Sequence, residues 1–217
     1  MALPSIDFAL GFVSARAGIG KTTLVVELAA WFAARGHAVA LLDADLGAPD
    51  ALGRVGEEQR GAIGCFSLGR ALEKRGLAGV GGELLEQELA RLLEAGFDFG
   101  RRELLLVDLA PGAETSEEWL EALGVEALVE VVREGEELAL DAPLPVLGRI
   151  ETFARDVRSP RGPRGATLLG RIPFEPRLRE LGQRGVPLVL DAAHSPAAHA
   201  LAQAGANLWK RVQSRLS

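Results

Sequence analysis

Apolar positions in this chain come in short continuous blocks separated by helical spacing, a pattern that predicts buried strands alternating with helices. The run Phe8–Val13 reads as a first strand, and Leu24, Val25, Leu28, Ala29 and Phe32 follow at helical spacing over residues 21–35, with Gly36 as the C-cap. A second run, Ala38–Leu42, is apolar almost throughout, as expected of a parallel strand covered on both faces. Residues 53–64 are polar and Gly-rich and read as loop, with a short strand possible over Ile63–Leu68. Leu84, Leu85, Leu89, Leu92 and Leu93 predict a helix over 83–95. Buried strands are expected at Glu103–Asp108, Ala127–Val132 and Thr167–Ile172. Residues 140–157 are ambiguous: the apolar spacing is helical, but Pro143, Pro145 and Gly148 interrupt it and Val146–Ile150 suits a strand. Arg158–Gly165 reads as a solvated loop and residues 196–215 as the terminal helix. The alternation predicts an α/β fold, a doubly wound, mostly parallel sheet in a single domain.

Composition narrows the function classes. The 217 residues are 48% hydrophobic, which suits a compact globular chain. The net charge of −6 gives no global basic field and argues against nucleic acid as a partner. No apolar stretch is long enough to span a bilayer, and the N-terminus lacks a basic region before an apolar one, so a cytoplasmic protein is expected. Cys65 is the single cysteine; it lies in an apolar run and is expected to be a buried small hydrophobe. His37, His194 and His199 do not fall at metal-ligand spacing with acids. The 3 lysines against 21 arginines reflect a compositional bias, which makes a lysine at a special place more noticeable.

One lysine stands at such a place. Residues 14–23, Ser-Ala-Arg-Ala-Gly-Ile-Gly-Lys-Thr-Thr, join the first strand to the first helix. Glycines let backbone N–H groups curl around an anion, and the helix N-terminus adds partial positive charge. In this phosphate-loop reading Lys21 reaches the β- and γ-phosphates and the Thr22 hydroxyl ligates Mg²⁺. The match is incomplete, because Ala15 stands where the general pattern has its first glycine. Asp108, at the end of a buried strand, is where such a site keeps a metal-holding acid, and Asp43 and Asp45 end the second strand.

Three stretches together, Arg16–Thr23, Asp43–Pro49 and Val107–Gly112, resemble the MinD/Mrp group of deviant Walker ATPases, P-loop NTPases of the SIMIBI, MinD-like kind. Within that group the chain most resembles the Mrp-type ATPases of iron–sulfur cluster assembly, and the tail from Leu169 to Ala198 adds to the likeness. The resemblance implies ATP and Mg²⁺ as cofactors and a slow ATPase working as a nucleotide-dependent homodimer. By position, Ala17, Gly18, Ile19, Gly20, Lys21, Thr22 and Thr23 would cradle the nucleotide and Gly112 would sense its last phosphate. Thr22, Asp43 and Asp108 would serve the metal, while Asp45 would orient the attacking water. Arg16 takes the place of the signature lysine that reaches into the partner subunit; arginine keeps the charge there. The flanking Ala15 and Ala17 replace glycines, which is harmless only where φ is negative.

Other departures bear on function. The Cys-x-x-Cys pair of Mrp-type carriers is missing: the corresponding loop is Ser159-Pro160-Arg161-Gly162, so an iron–sulfur cluster carried by the usual motif is not expected. Glu151-Thr152-Phe153 stands where the relatives have an adenine-facing asparagine. A pseudo-ATPase scaffold or adaptor, one serving a true Mrp-type partner for example, and a MinD/ParA-like positioning ATPase therefore stay open. A membrane switch would use Leu208, Trp209, Val212 and Leu216 on one face of the last helix, although such a face more often packs on a sheet, and membrane contact is not expected.

Overall fold

The computed structural model describes residues 6–77, 87, 88, 90–92, 99–113, 116–136, 142–155 and 167–216. Its strands are β1 (Ile6–Val13), β2 (Val39–Ala44), β3 (Gly64–Ser67), β4 (Arg102–Leu109), β5 (Ala127–Arg133), β6 (Val146–Ala154) and β7 (Leu168–Pro173). The helices are α1 (Lys21–Ala33), α2 (Ala51–Arg54), α3 (Glu57–Ala62), α4 (Leu68–Lys74), α5 (Glu117–Ala122), α6 (Arg177–Gln183), α7 (Leu188–Asp191) and α8 (Pro196–Leu216). The strands form one sheet in the order β3-β2-β4-β1-β5-β6-β7, and every pairing is parallel.

Two apolar layers cover this sheet. On one face Leu10, Phe12, Val129 and Ile150 pack under α1 and α8, and on the other Leu42, Leu105, Val107 and Leu109 pack with Leu120 and Leu123. The strand order switches direction around β1 and β4, so the loops at their carboxyl ends diverge and leave a crevice there. α1 and α8 approach closely because Gly205 faces the Trp31 ring: a Cβ on Gly205 would stand 2.7 Å from it. The same seam is filled by aromatic contacts of Trp209 with Phe32 and His37.

Several expectations are corrected. Residues 53–64 are not plain loop, since α2 ends and α3 lies within them. The ambiguous stretch resolves as strand β6. Helix α1 ends at Ala33, two residues early, with Gly36 in the left-handed turn that follows. Cys65 is half-buried, not buried. Leu208 and Val212 are fully buried in the core, so the helical face that a membrane would need is already spent on packing. Among the described residues no helix is long and apolar enough to cross a membrane. Of the helix expected over 83–95, residues 87, 88 and 90–92 are helical and the rest lies outside the described residues, as does the loop 158–165 apart from its neighbours at 155 and 167.

Candidate nucleotide-binding site

The turn between β1 and α1 is built on two glycines. Gly18 and Gly20 have φ of +79° and +86°, a region where a side chain is strained. Gly20 is also the N-cap of α1, and no side chain caps that end. The first-turn amides of a helix have no intrahelical partner, so this end presents unspent donors and the positive end of the helix dipole. Ala15, Arg16 and Ala17 all have negative φ, because Phe153 is the single non-glycine residue with positive φ among those described. The alanines that replace glycine in the loop therefore cost no backbone strain.

Lys21, the first residue of α1, is only 6% exposed and forms a buried ion pair with Asp108 on β4. Register explains the rest of the cluster. Asp43 on β2 lies directly beside Asp108, and Ser67 on β3 lies beside Asp43. Both carboxylates are fully buried. Asp43 accepts hydrogen bonds from the N–H groups of Ala51 (3.1 Å) and Asp45 (3.3 Å). Burial, and then the neighbouring Asp108 charge, push the Asp43 carboxyl up to about 7 despite those bonds. The second oxygen of Asp108, Oδ2, is buried without a hydrogen-bond partner. A buried carboxylate oxygen left open costs free energy unless something positive meets it.

These residues fit a divalent cation. Among the described residues no three His, Cys, Asp or Glu side chains group as a self-sufficient metal cage. Mg²⁺ does not require one, since it keeps several waters and takes one or two carboxylates together with substrate phosphates. An open Asp108 oxygen, a second carboxylate beside it and the Thr22 hydroxyl on the next residue after Lys21 provide that hard oxygen set.

A cavity of about 780 Å³ opens in front of the loop. Arg16 through Thr23 and Asp45 line it; Asp43, Asp108 and Gly112 do not, the two acids being buried behind Lys21. Gly112 sits at φ +85° in the turn after β4, and its neighbour Pro111 reaches the wall. Asp45 is fixed rather than free, its Oδ1 accepting from the N–H groups of Gly47 and Ala48 at 3.1 Å each. Arg16 is half-exposed at the rim and paired with Glu136, which follows β5. Thr23 accepts from Arg54, which is itself bonded to Asp50 (2.7 Å), so α2 closes one side of the opening.

The sequence reading reached the far wall of the cavity only at Glu151-Thr152-Phe153 and missed its aromatic pair. That end is walled by Phe153, Pro173, Phe174 and Pro176, with Leu178 and Leu201 beneath. The Phe153 and Phe174 rings stack with centroids 5.7 Å apart and planes within 17°. Phe153 has φ +55°, at an irregularity in the β6–β7 ladder between Thr152 and Ala154, and so occupies a bulge. Left-handed backbone at a bulky residue costs of order 1–3 kcal/mol. Thr152 anchors the bulge: its hydroxyl stands 2.8 Å from the Ile19 carbonyl and 3.1 Å from that of Val132. A proline-flanked aromatic directly after the last strand, Pro173-Phe174-Glu175-Pro176, was the available signal for this end. Glu27 on α1 also lines the cavity, and its carboxylate holds the N–H groups of Leu188 (2.8 Å) and Val189 (3.0 Å).

Comparison with known proteins agrees with this geometry. The chain is 26% identical to an iron–sulfur cluster carrier protein of Mycobacterium leprae over 94% of its length, and spans 64% of that protein. It is 32% identical to maintenance of carboxysome distribution protein A of Gloeobacter kilaueensis, over 81% of this chain and 71% of the other. Among solved structures, the septum site-determining protein MinD of Pyrococcus horikoshii, complexed with Mg-ADP, superposes with a TM-score of 0.65 at 19% identity, covering 97% of this chain and 98% of that one. At that identity the likeness speaks for the fold alone. Residues 10–188 match the CobQ/CobB/MinD/ParA nucleotide binding domain, and the chain belongs to that family.

Proposed function

We propose that this protein binds ATP with Mg²⁺ in the cavity before the β1–α1 loop and hydrolyses it slowly in the cytoplasm. The observation that carries the reading is the buried Lys21–Asp108 pair beside Asp43, with the open Asp108 oxygen behind a glycine turn and an unspent helix N-terminus. Lys21 would neutralise the outer phosphates, while the amides after Gly18 would bind the inner ones. Thr22, with Asp108 and Asp43, would hold the cation, whose contribution is to neutralise charge developing on the transferred phosphoryl group. Asp45, fixed by its two backbone bonds at the cavity wall, would orient water. Gly112, in the turn behind Pro111, would register the last phosphate through the movement of that turn.

A nucleotide-dependent homodimer follows from the same reading. Arg16 is half-exposed at the rim, so its guanidinium can leave Glu136 for the phosphates of a partner subunit's nucleotide. As for cargo, Cys65 is the sole cysteine and lies in β3, where burial pushes its thiol up to about 11. That is poor chemistry for a cluster ligand, so the proposed activity is that of a switch without a cluster of its own. A client protein or an Mrp-type partner would then read the switch.

The test is calorimetric titration with ATP and Mg²⁺, with phosphate release followed in the same samples. Lys21→Ala is expected to weaken ATP binding by roughly a hundredfold, the loss of a charged hydrogen bond to phosphate. Thr22→Ala should leave binding measurable but remove its Mg²⁺ dependence. Binding without phosphate release would reduce the protein to a nucleotide-binding adaptor. No binding by the wild type would sink the proposal.

A further inference from the structure

The aromatic end of the cavity suggests how the nucleobase is read. We propose that Phe174, stacked on Phe153, is a stacking platform for the base, and that the site accepts purine nucleotides without distinguishing adenine from guanine. The inference rests on the nucleotide reading above and deepens it.

Three observations support it. First, Phe174 is 67% exposed, more than any other large hydrophobic side chain described, yet it is not loose: its ring lies nearly parallel to that of Phe153, 5.7 Å away. An exposed aromatic held flat at the mouth of a cavity offers one open face of the size of a base. Second, the support beneath it is built at a cost. Phe153 holds a left-handed backbone at a bulge, and Thr152 ties that bulge to the carbonyl of Ile19 inside the phosphate loop. Position is thereby coupled between the two ends of the cavity. A Cβ on Gly20 would stand 4.0 Å from the Phe153 ring, so loop and platform are in van der Waals reach.

Third, among the described residues no side-chain amide lines the cavity, although the chain has one asparagine and five glutamines. Asn207 is committed to the carbonyl of Leu169 (2.9 Å). Selecting adenine requires a donor and an acceptor together at fixed positions, which a side-chain amide supplies in one plane. Glu175 and Arg179 do line this end: Glu175 accepts from the N–H of Arg177 (3.2 Å) through Oε1 and, as a carboxylate, offers acceptors without the donor that adenine selection also needs, while Arg179 is an exposed cation. N7 is an acceptor in both purines, so a cation that reaches N7 alone does not tell them apart. A π-face likewise meets both, because stacking is tolerant of base identity. Sites that read shape alone separate similar ligands weakly, whereas those built to hydrogen-bond one ligand reject its analogue strongly.

The experiment compares ATP, GTP and inorganic tripolyphosphate, each with Mg²⁺, by calorimetric titration of the full chain. ATP and GTP are expected to bind within about tenfold of each other, and tripolyphosphate more weakly than either by about tenfold or more, the part that stacking supplies. Phe174→Ala should weaken ATP and GTP alike by about tenfold and leave tripolyphosphate unchanged, while Phe174→Tyr keeps wild-type affinity. Phe174 is exposed, so its removal does not threaten the fold. A preference beyond tenfold for either purine overturns the inference, as does a Phe174→Ala variant that binds ATP as the wild type does. Either outcome leaves nucleotide binding standing, because tripolyphosphate and Lys21→Ala report on the loop alone. Failure of all three ligands to bind would overturn both readings together.

Discussion

Glu27 offers a quantitative test of the cavity's electrostatics that needs no ligand. It is 3% exposed on α1, and its carboxylate caps the start of α7 by accepting from Leu188 and Val189. Burial raises its carboxyl from 4.5 to about 7, against the opposing pull of those two backbone bonds. The folded protein therefore holds a proton on Glu27 to higher pH than the unfolded chain does. The stabilising contribution is fully present below pH 4.5 and is lost as pH rises through 7. A shift of that size is worth about 3 kcal/mol between the two limits, as an order of magnitude. Glu27→Gln cannot titrate, and its amide can still accept from one of the two N–H groups. Urea unfolding of both proteins at pH 5, 6, 7 and 8 isolates the effect from every other titrating group. The wild type should lead by the most at pH 5, and its advantage over Glu27→Gln should shrink by about 2.5 kcal/mol towards pH 8, part of the full shift being already lost at pH 5. A difference between the two proteins that stays constant with pH would refute the argument, because Glu27 would then titrate alike in both states.

Two further predictions follow from local geometry. Gly20→Ala places a Cβ at φ +86° and should lower stability by roughly 1–2 kcal/mol in thermal unfolding, although space for the methyl exists. On β5, Glu130 is buried against Arg149 on β6 at 2.6 Å, and Glu130→Ala removes that carboxylate from a buried guanidinium. It should cost about 3–5 kcal/mol in urea unfolding, far more than an exposed pair would, with Glu130→Gln intermediate.

The sheet was legible because its strands are buried on both faces and so spell themselves in apolar runs. Leu104 to Val107 could not be mistaken, and the phosphate loop announced itself through Lys21 in a lysine-poor chain. Where contacts are non-local the sequence falls silent. Asp43 and Asp108 stand 65 positions apart and meet only because β4 inserts between β2 and β1, which no local pattern reveals. Residues 53–64 read as loop on account of Gly56 and Gly61. Gly56 is there because a Cβ would stand 2.4 Å from the Gly185 carbonyl, and Arg60 secures α3 by donating to the carbonyls of Leu52 and Val55. Residues 140–157 stayed ambiguous in sequence because β6 places charged residues, Arg149 and Glu151, at buried positions. Each is neutralised by an opposite charge on an adjacent strand, Glu130 and Arg171, and such pairs are invisible until strand order is known.

The two kinds of buried charge in this sheet differ in a way that bears on function. Across β5, β6 and β7 the two buried arginines, Arg149 and Arg171, each have a carboxylate, so those charges close on themselves. At the carboxyl ends of β2 and β4 the balance does not close: one lysine serves two buried acids, and one oxygen of Asp108 has no partner. Now let a phosphate draw Lys21 into the cavity. Among the described residues Asp108 then loses its one charged partner, and the bonds left to the two adjacent buried carboxylates are those from backbone N–H groups to Asp43. Two buried carboxylates side by side without a cation carry a heavy desolvation and repulsion cost. On the proposed reading, phosphate binding and cation binding would therefore be coupled at this site, since each removes the penalty that the other creates. Asp43 shows the cost of that crowding in the free protein, where burial and then the Asp108 charge push its carboxyl up to about 7.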